Sequence, residues 1–179
     1  KRLVFTLTTG SAPELKGTAE IVSDTWRALG ADVTLEFFDA TDLQQEIIRP
    51  RKYDALLFGE VVGRDMDLFA FWDSSQRNDP GLNIALYTNA STDKLLKEAR
   101  TEDDPVLRRH ITEKAAGIIA DEVAAIFLYS PHFLYLTPPH VQGIQLGTIV
   151  TPADRFVSIA DWFVVTERVW PFPWLLPHR

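Results

Sequence analysis

Tyr53-Asp54-Ala55-Leu56-Leu57-Phe58-Gly59 decides the fold, because a nearly continuous apolar run closed by a glycine is the pattern of a strand covered on both faces in a parallel sheet. Upstream, residues 3–9 are rich in β-branched and aromatic side chains and end at Gly10, which predicts a strand. Ser11 and Glu14 then form a capping-box pattern with Pro13 in the first turn. Leu15, Ala19, Val22, Trp26 and Leu29 recur at spacings of four and three until Gly30 stops the helix. Val33, Leu35 and Phe37 alternate with Thr34 and Glu36 in a second strand. Thr41 and Gln44 repeat the cap pattern ahead of a short helix carrying Leu43, Ile47 and Ile48, which Arg49 and Pro50 end. Strand, helix, strand, helix, strand in this order requires crossovers of one hand and therefore a parallel sheet. Its carboxyl ends open on one edge, lined by the loops at Gly10, Asp39 and Gly59, where ligands of such sheets bind.

Beyond Gly59 the pattern loosens into an excursion over the sheet edge, through Asp65, Asp67, Phe69, Phe71 and Trp72 to a polar turn at residues 81–83 and a short apolar stretch ending at Tyr87. Helices are expected over 92–100 and 104–121, the second with Asp104 as cap, Pro105 in the first turn, and Leu107, Ile111, Ala115 and Ile118 facing inward. Residues 125–129, 133–136 and 159–165 read as strands, with Pro138 and Pro139 breaking the chain between them. The fold class is thus α/β, with a mixed, mainly parallel sheet and covering helices. Residues 1–168 are expected to form a ligand-binding lobe. Residues 169–179 form an apolar tail from Trp170 to Pro177 whose prolines forbid a regular helix. Such a tail packs on its own lobe or docks on another domain or a neighbouring copy, so self-association through it is expected.

Composition narrows the function. The 179 residues carry a net charge of −7, which opposes binding to a nucleic-acid phosphate backbone, and the one basic cluster, Arg49, Arg51 and Lys52, reads as a solvated loop. Without cysteine there is no disulfide framework, thiolate metal site or cysteine nucleophile. The only methionine is Met66, so the chain is expected to be cut from a larger protein. No uncharged apolar run approaches the roughly 18 residues that suggest a membrane span.

No Gly-x-Ser-x-Gly elbow occurs, and His110, His132, His140 and His178 are scattered without an evident partner. No His-Glu-x-x-His occurs either. Asp65 and Asp67 lack the rest of a calcium loop, because Phe69 and Gln76 stand where further oxygen ligands belong. Gly59 and Gly63 match neither phosphate-binding glycine pattern. Neither catalysis, a metal nor a cofactor is therefore expected.

What remains at the ligand edge is aromatic and polar: Phe58, Gly59, Glu60, Arg64, Asp65, Asp67, Phe71, Trp72, Asn83 and Tyr87. Aromatic faces bury ligand area while a few charged or amide groups fix orientation, as in most small-molecule clefts. The alternative is that Phe71 and Trp72 are core residues and the two aspartates cap a turn.

These residues carry a resemblance. Residues 53–59, then Asp65-Met66-Asp67-Leu68-Phe69, Phe71-Trp72-Asp73-Ser74-Ser75, Gly81-Leu82-Asn83 with Tyr87-Thr88-Asn89, and Asp93-Lys94-Leu95-Leu96 resemble, in order and spacing, the second lobe of peptide- and nickel-type (family 5) extracytoplasmic solute-binding proteins of ABC importers. The segments at 118–129 and 159–162 are similar to that family's later segments. The resemblance implies one lobe of a two-lobed, periplasmic-binding-protein-like clamp that closes over a peptide, sugar or other small solute. It also implies a permease partner, a first lobe from the same polypeptide, and a location outside the cytoplasm, periplasmic or lipid-anchored. Peptide-binding members hold the ligand amine with an aspartate whose position here is Val62, so that anchor is absent unless Glu60 or Asp65 takes its place. Two other readings compete with this one. One is a small α/β enzyme using Asp65 or Asp67 as acid or base beside Arg64. The other is a regulatory sensor domain.

Overall fold

The computed structural model describes residues 2–165, so the expected tail at 169–179 and His178 lie outside the described residues. The chain divides into two compact units, Lys1–Phe127 and Leu128–Arg179, and the sequence pattern carries no sign of this division.

In the first unit, β1 (Val4–Gly10), α1 (Pro13–Ala28), β2 (Asp32–Phe38), a helical stretch formed by α2 (Ala40–Asp42) and the π-helical turns Leu43–Ile48, and β3 (Ala55–Leu57) follow the expected order. β1 pairs in parallel with β2 from Val4 opposite Asp32 to Gly10 opposite Phe38, and with β3 from Leu7 opposite Ala55 to Thr9 opposite Leu57. The sheet order is β2-β1-β3. The doubly covered central strand is therefore β1, whose Leu7, Thr8, Thr9 and Gly10 are buried. This corrects the reading of residues 53–58, which contribute a three-residue edge strand that is only half-buried. Thr9 is tolerated in the interior because its hydroxyl donates to the Leu57 carbonyl at 2.7 Å.

α1 lays Ala19 against Leu7, Ala31 and Val33, with Phe5 and Trp26 in edge contact at 5.2 Å, and this forms the first apolar core. Gly30, at φ +97°, closes the helix by the left-handed turn only glycine adopts freely, its N–H donating to the Arg27 carbonyl. Two caps differ from expectation. Ser11 does not cap α1, since its N–H extends the sheet to the Phe38 carbonyl at 2.8 Å and the helix starts after Ala12 without a side-chain cap. Asp39, not Thr41, caps α2, its Oδ1 accepting from the Thr41 and Asp42 amides at 2.9 Å each. The Asp42 amide holds the Asp39 carboxyl below its ordinary range.

The basic cluster has a structural use. Arg51 donates to the carbonyls of Ile48, Arg77 and Gly81, and Arg49 faces Asp79 at 3.6 Å, tying residues 77–81 to the helix end.

A second apolar core follows from α3 (Phe69–Trp72), α4 (Ala90–Thr101) and α5 (Pro105–Asp121): Trp72, Leu96, Ala115 and Ile119 are buried together, with Leu68, Phe69, Phe71 and Tyr87 packed on them. Asp104 caps α5 as expected, accepting from Val106 and Leu107. The buried stripe is Ile111, Thr112, Ala115 and Ile119, whereas the expected Leu107 is 46% exposed and Ile118 half-buried. Between α3 and α4, a 3₁₀ turn (Ser74–Gln76) is held by Asp73, and Asn83 donates to the Asp73 and Tyr87 carbonyls. The loop at 58–68 thus runs from the first core, entered through Leu57, to the second, entered through Leu68.

Residues 125–129 and 133–136 form no strand, contrary to the sequence reading: among the described residues no strand pairs with them, and Ile126, Phe127, Leu134 and Leu136 are exposed. In the second unit the chain makes a short antiparallel pair, β4 (Val141–Gln142) with β5 (Phe163–Val164), and 3₁₀ turns at Pro152–Phe156 and Ile159–Asp161. The expected strand at 159–165 is therefore cut to its last part, because the Asp161 amide turns back to the Ser158 carbonyl. Ser158 anchors this unit: its hydroxyl donates to the Gln145 carbonyl and accepts from the Gln145 amide and the Trp162 indole, each at 3.0 Å.

Candidate functional site

Parallel pairing brings Gly10, Phe38 and Leu57 to one sheet edge, and the loop that leaves it carries the first of the expected site residues. Phe58, Gly59, Glu60, Arg64 and Asp65 are all exposed on that loop, and Val62 is half-buried. Protein atoms crowd the Glu60 carboxyl enough to displace bulk water although the residue stays solvent-accessible, and this desolvation pushes its pKa up to about 7. Near neutrality this carboxyl is divided between its two protonation states.

The structure does not gather all the expected residues on the rim. Trp72 is 8% exposed and meets Tyr87 edge-on at 6.1 Å and the tilted ring of Phe127 at 5.9 Å; Phe71 packs against the same core. Asn83 is wholly buried, its amide consumed by two carbonyls and its oxygen accepting from the Tyr87 amide. The Tyr87 hydroxyl donates to Glu122 at 2.6 Å. These four side chains hold the second core together, as the alternative reading of Phe71 and Trp72 anticipates. Asp67 likewise stabilises a turn: its Oδ1 accepts from the Phe69 amide at 3.0 Å, and its Oδ2 lies 3.3 Å from Arg100 Nε.

Asp65, Met66, Asp67 and Leu68 line a cavity of about 300 Å³ with Leu96, Ala99, Arg100, Arg108 and Thr112. The two arginines have no signature in the sequence, since a cavity that joins Asp67 with Arg100 and Arg108 brings together residues far apart in the chain. A cavity of about 640 Å³ lies at the opposite, amino edge of the strands, among Leu3, Phe5, Trp26, Leu29, Ala31 and Ala55, and holds none of the expected site residues.

Chemically, the rim offers an aromatic face, a glycine, a carboxyl poised near neutrality and charges of both signs. Such a set is chemically suited to recognising and orienting a ligand. Among the described residues no three His, Asp or Glu side chains converge to hold a metal ion, and no helix is long and apolar enough to cross a membrane.

A parallel sheet flanked by helices, with an exposed polar and aromatic loop at its carboxyl edge, is one lobe of a two-lobed periplasmic-binding-protein-like fold. In sequence and in fold the chain is similar to the peptide- and nickel-type solute-binding proteins. The oligopeptide-binding protein AppA of Bacillus subtilis (strain 168) is 27% identical over 166 residues, which is 92% of this chain and 30% of that protein. The structure of AppA in complex with a nonapeptide matches with a TM-score of 0.70 at 25% identity, over 93% of this chain and 32% of that one. NikZ from Campylobacter jejuni in complex with Ni(L-His) shares the fold at a TM-score of 0.63 and 21% identity, over 89% of this chain and 33% of that one. No family model matches the chain. The chain thus spans about a third of the length of the relatives it matches.

Proposed function

We propose that this chain is the second lobe of the solute-binding component of an ABC importer, acting outside the cytoplasm. A small solute, such as a peptide or sugar, bridges its rim and a first lobe from the same polypeptide, and the closed protein presents it to a membrane permease. Closure needs no bond to break: a ligand touching both lobes stabilises the closed state over the open one. The observation that carries this reading is the exposed loop 58–66 at the carboxyl edge of a lobe similar along nearly its whole length to an oligopeptide-binding protein.

The contact residues are Phe58, Gly59, Glu60, Arg64 and Asp65. Val62 offers no partner for an ammonium group, so an amine-bearing solute would be held by Glu60 or Asp65.

Mass spectrometry of ligand carried by the full-length protein identifies the solute, and calorimetry then compares that protein with this chain alone. Tight binding by the full-length protein and weak or no binding by the chain is expected. Tight binding by the chain alone overturns the two-lobed clamp.

A further inference from the structure

The loop that carries Glu60, Arg64 and Asp65 has no regular structure beyond a turn, and it contains Met66 at φ +55°, a conformation that residues other than glycine seldom adopt. Such a backbone persists where its surroundings over-determine it. The restraint begins one residue further on. Asp67 receives the Phe69 amide on one oxygen and faces the Arg100 guanidinium at 3.3 Å with the other, while the same guanidinium lies 4.5 Å from the centre of the Phe69 ring. Arg100 stands in the last turn of α4, which Leu96 and Ala99 fix in the interior. The cavity of about 300 Å³ under Met66 and Leu68 leaves the loop room to shift if this clasp is released.

We propose that Arg100 is a positioning residue for the rim: without touching solute, it sets the course of residues 58–66 through Asp67 and Phe69. A solvent-exposed ion pair alone contributes little. Here one planar group meets a carboxylate edge and a ring face at once, a combination that the point charge of lysine does not reproduce. The functional meaning of this clasp rests on the solute-rim reading, but its test needs no solute, so the two stand or fall separately.

Amide hydrogen exchange followed by NMR on the 179-residue chain tests it, with the Met66 amide, which donates to the Gly63 carbonyl at 3.0 Å, as the reporter. Arg100→Ala is expected to speed exchange at Met66 by about fivefold or more while amides of β1 and α5 keep their rates. Arg100→Lys should recover only part of the protection. A Met66 rate unchanged in Arg100→Ala overturns the proposal, and so does an equal acceleration in β1, which would mark a global effect. Asp67→Asn keeps an acceptor for the Phe69 amide but drops the charge, and serves if Arg100→Ala disturbs α4. It too should loosen Met66 locally, and an unchanged rate overturns the proposal.

Discussion

Asp73 is wholly buried, and its Oδ1 accepts from the Ser75 amide at 2.9 Å and the Ser75 hydroxyl at 2.5 Å, while Lys97 forms an ion pair with Oδ2 at 3.3 Å. Burial alone would raise the Asp73 pKa, but the Ser75 donors and Lys97 outweigh it and hold the carboxyl below its ordinary 3.8. A lowered acid pKa stabilises the fold above the unfolded value and loses that contribution as pH falls through the folded one. Urea unfolding should therefore show an Asp73-dependent loss of stability below about pH 3.8 that is reduced in Asp73→Asn. Asp73→Ala, which removes the charged acceptor of the Ser75 amide and hydroxyl, should cost about 1.5–3 kcal/mol at pH 7. Glu60 has the opposite sign. Its pKa of about 7 lies above the ordinary 4.5, so ionisation disfavours the fold, and stability should decline as pH rises through that interval. Glu60→Gln should flatten this slope in urea titrations at pH 5 and 8. At this scale exposure was legible where it is local: Phe58 and Glu60 follow the end of β3, Asp65 lies on the same loop, and all three stand exposed. Phe71, Trp72 and Asn83 were not, because an aromatic or amide side chain serves a cleft or a core equally well until its neighbours are known.

Helix starts separate what a pattern foretells from what the sheet decides. Ser11 has the residue type of a cap, yet its amide is claimed by the Phe38 carbonyl across the sheet, whereas Asp39 and Asp104 reach two backbone amides each. Thermal melts should show Ser11→Ala nearly neutral, and Asp39→Ala and Asp104→Ala each less stable by about 1 kcal/mol. Equal losses at all three positions would contradict the assignment. The order and parallel pairing of the first three strands was readable because periodicity and connection rules act along the chain. The length of the third was not, since how far a strand pairs depends on its neighbour. The same dependence explains residues 125–136, whose β-branched and aromatic composition favours a strand only when another strand lies beside it.

At the scale of the whole molecule, buried apolar side chains among the described residues gather in two clusters within the first unit, and Trp72 is the largest member of the second. Trp72→Ala should cost about 3–5 kcal/mol by urea unfolding, the range for deleting a buried aromatic side chain. A change below about 1 kcal/mol would mean that the pocket around it is not packed as described. Residues 169–179 lie outside the described residues, and self-association through their Trp170 to Leu176 segment remains a proposal with a direct check by light scattering. A chain ending at Arg168 should lose the oligomers of the longer one, and an identical mass for both removes the idea. The course of loop 58–68, which leaves one cluster and enters the other, makes the candidate contact surface a bridge between two apolar clusters of the first unit. Warming that loosened the packing of α3–α5 first would slacken the bridge while the strands stayed intact, so the proposed grip on solute would weaken well before the fold came apart.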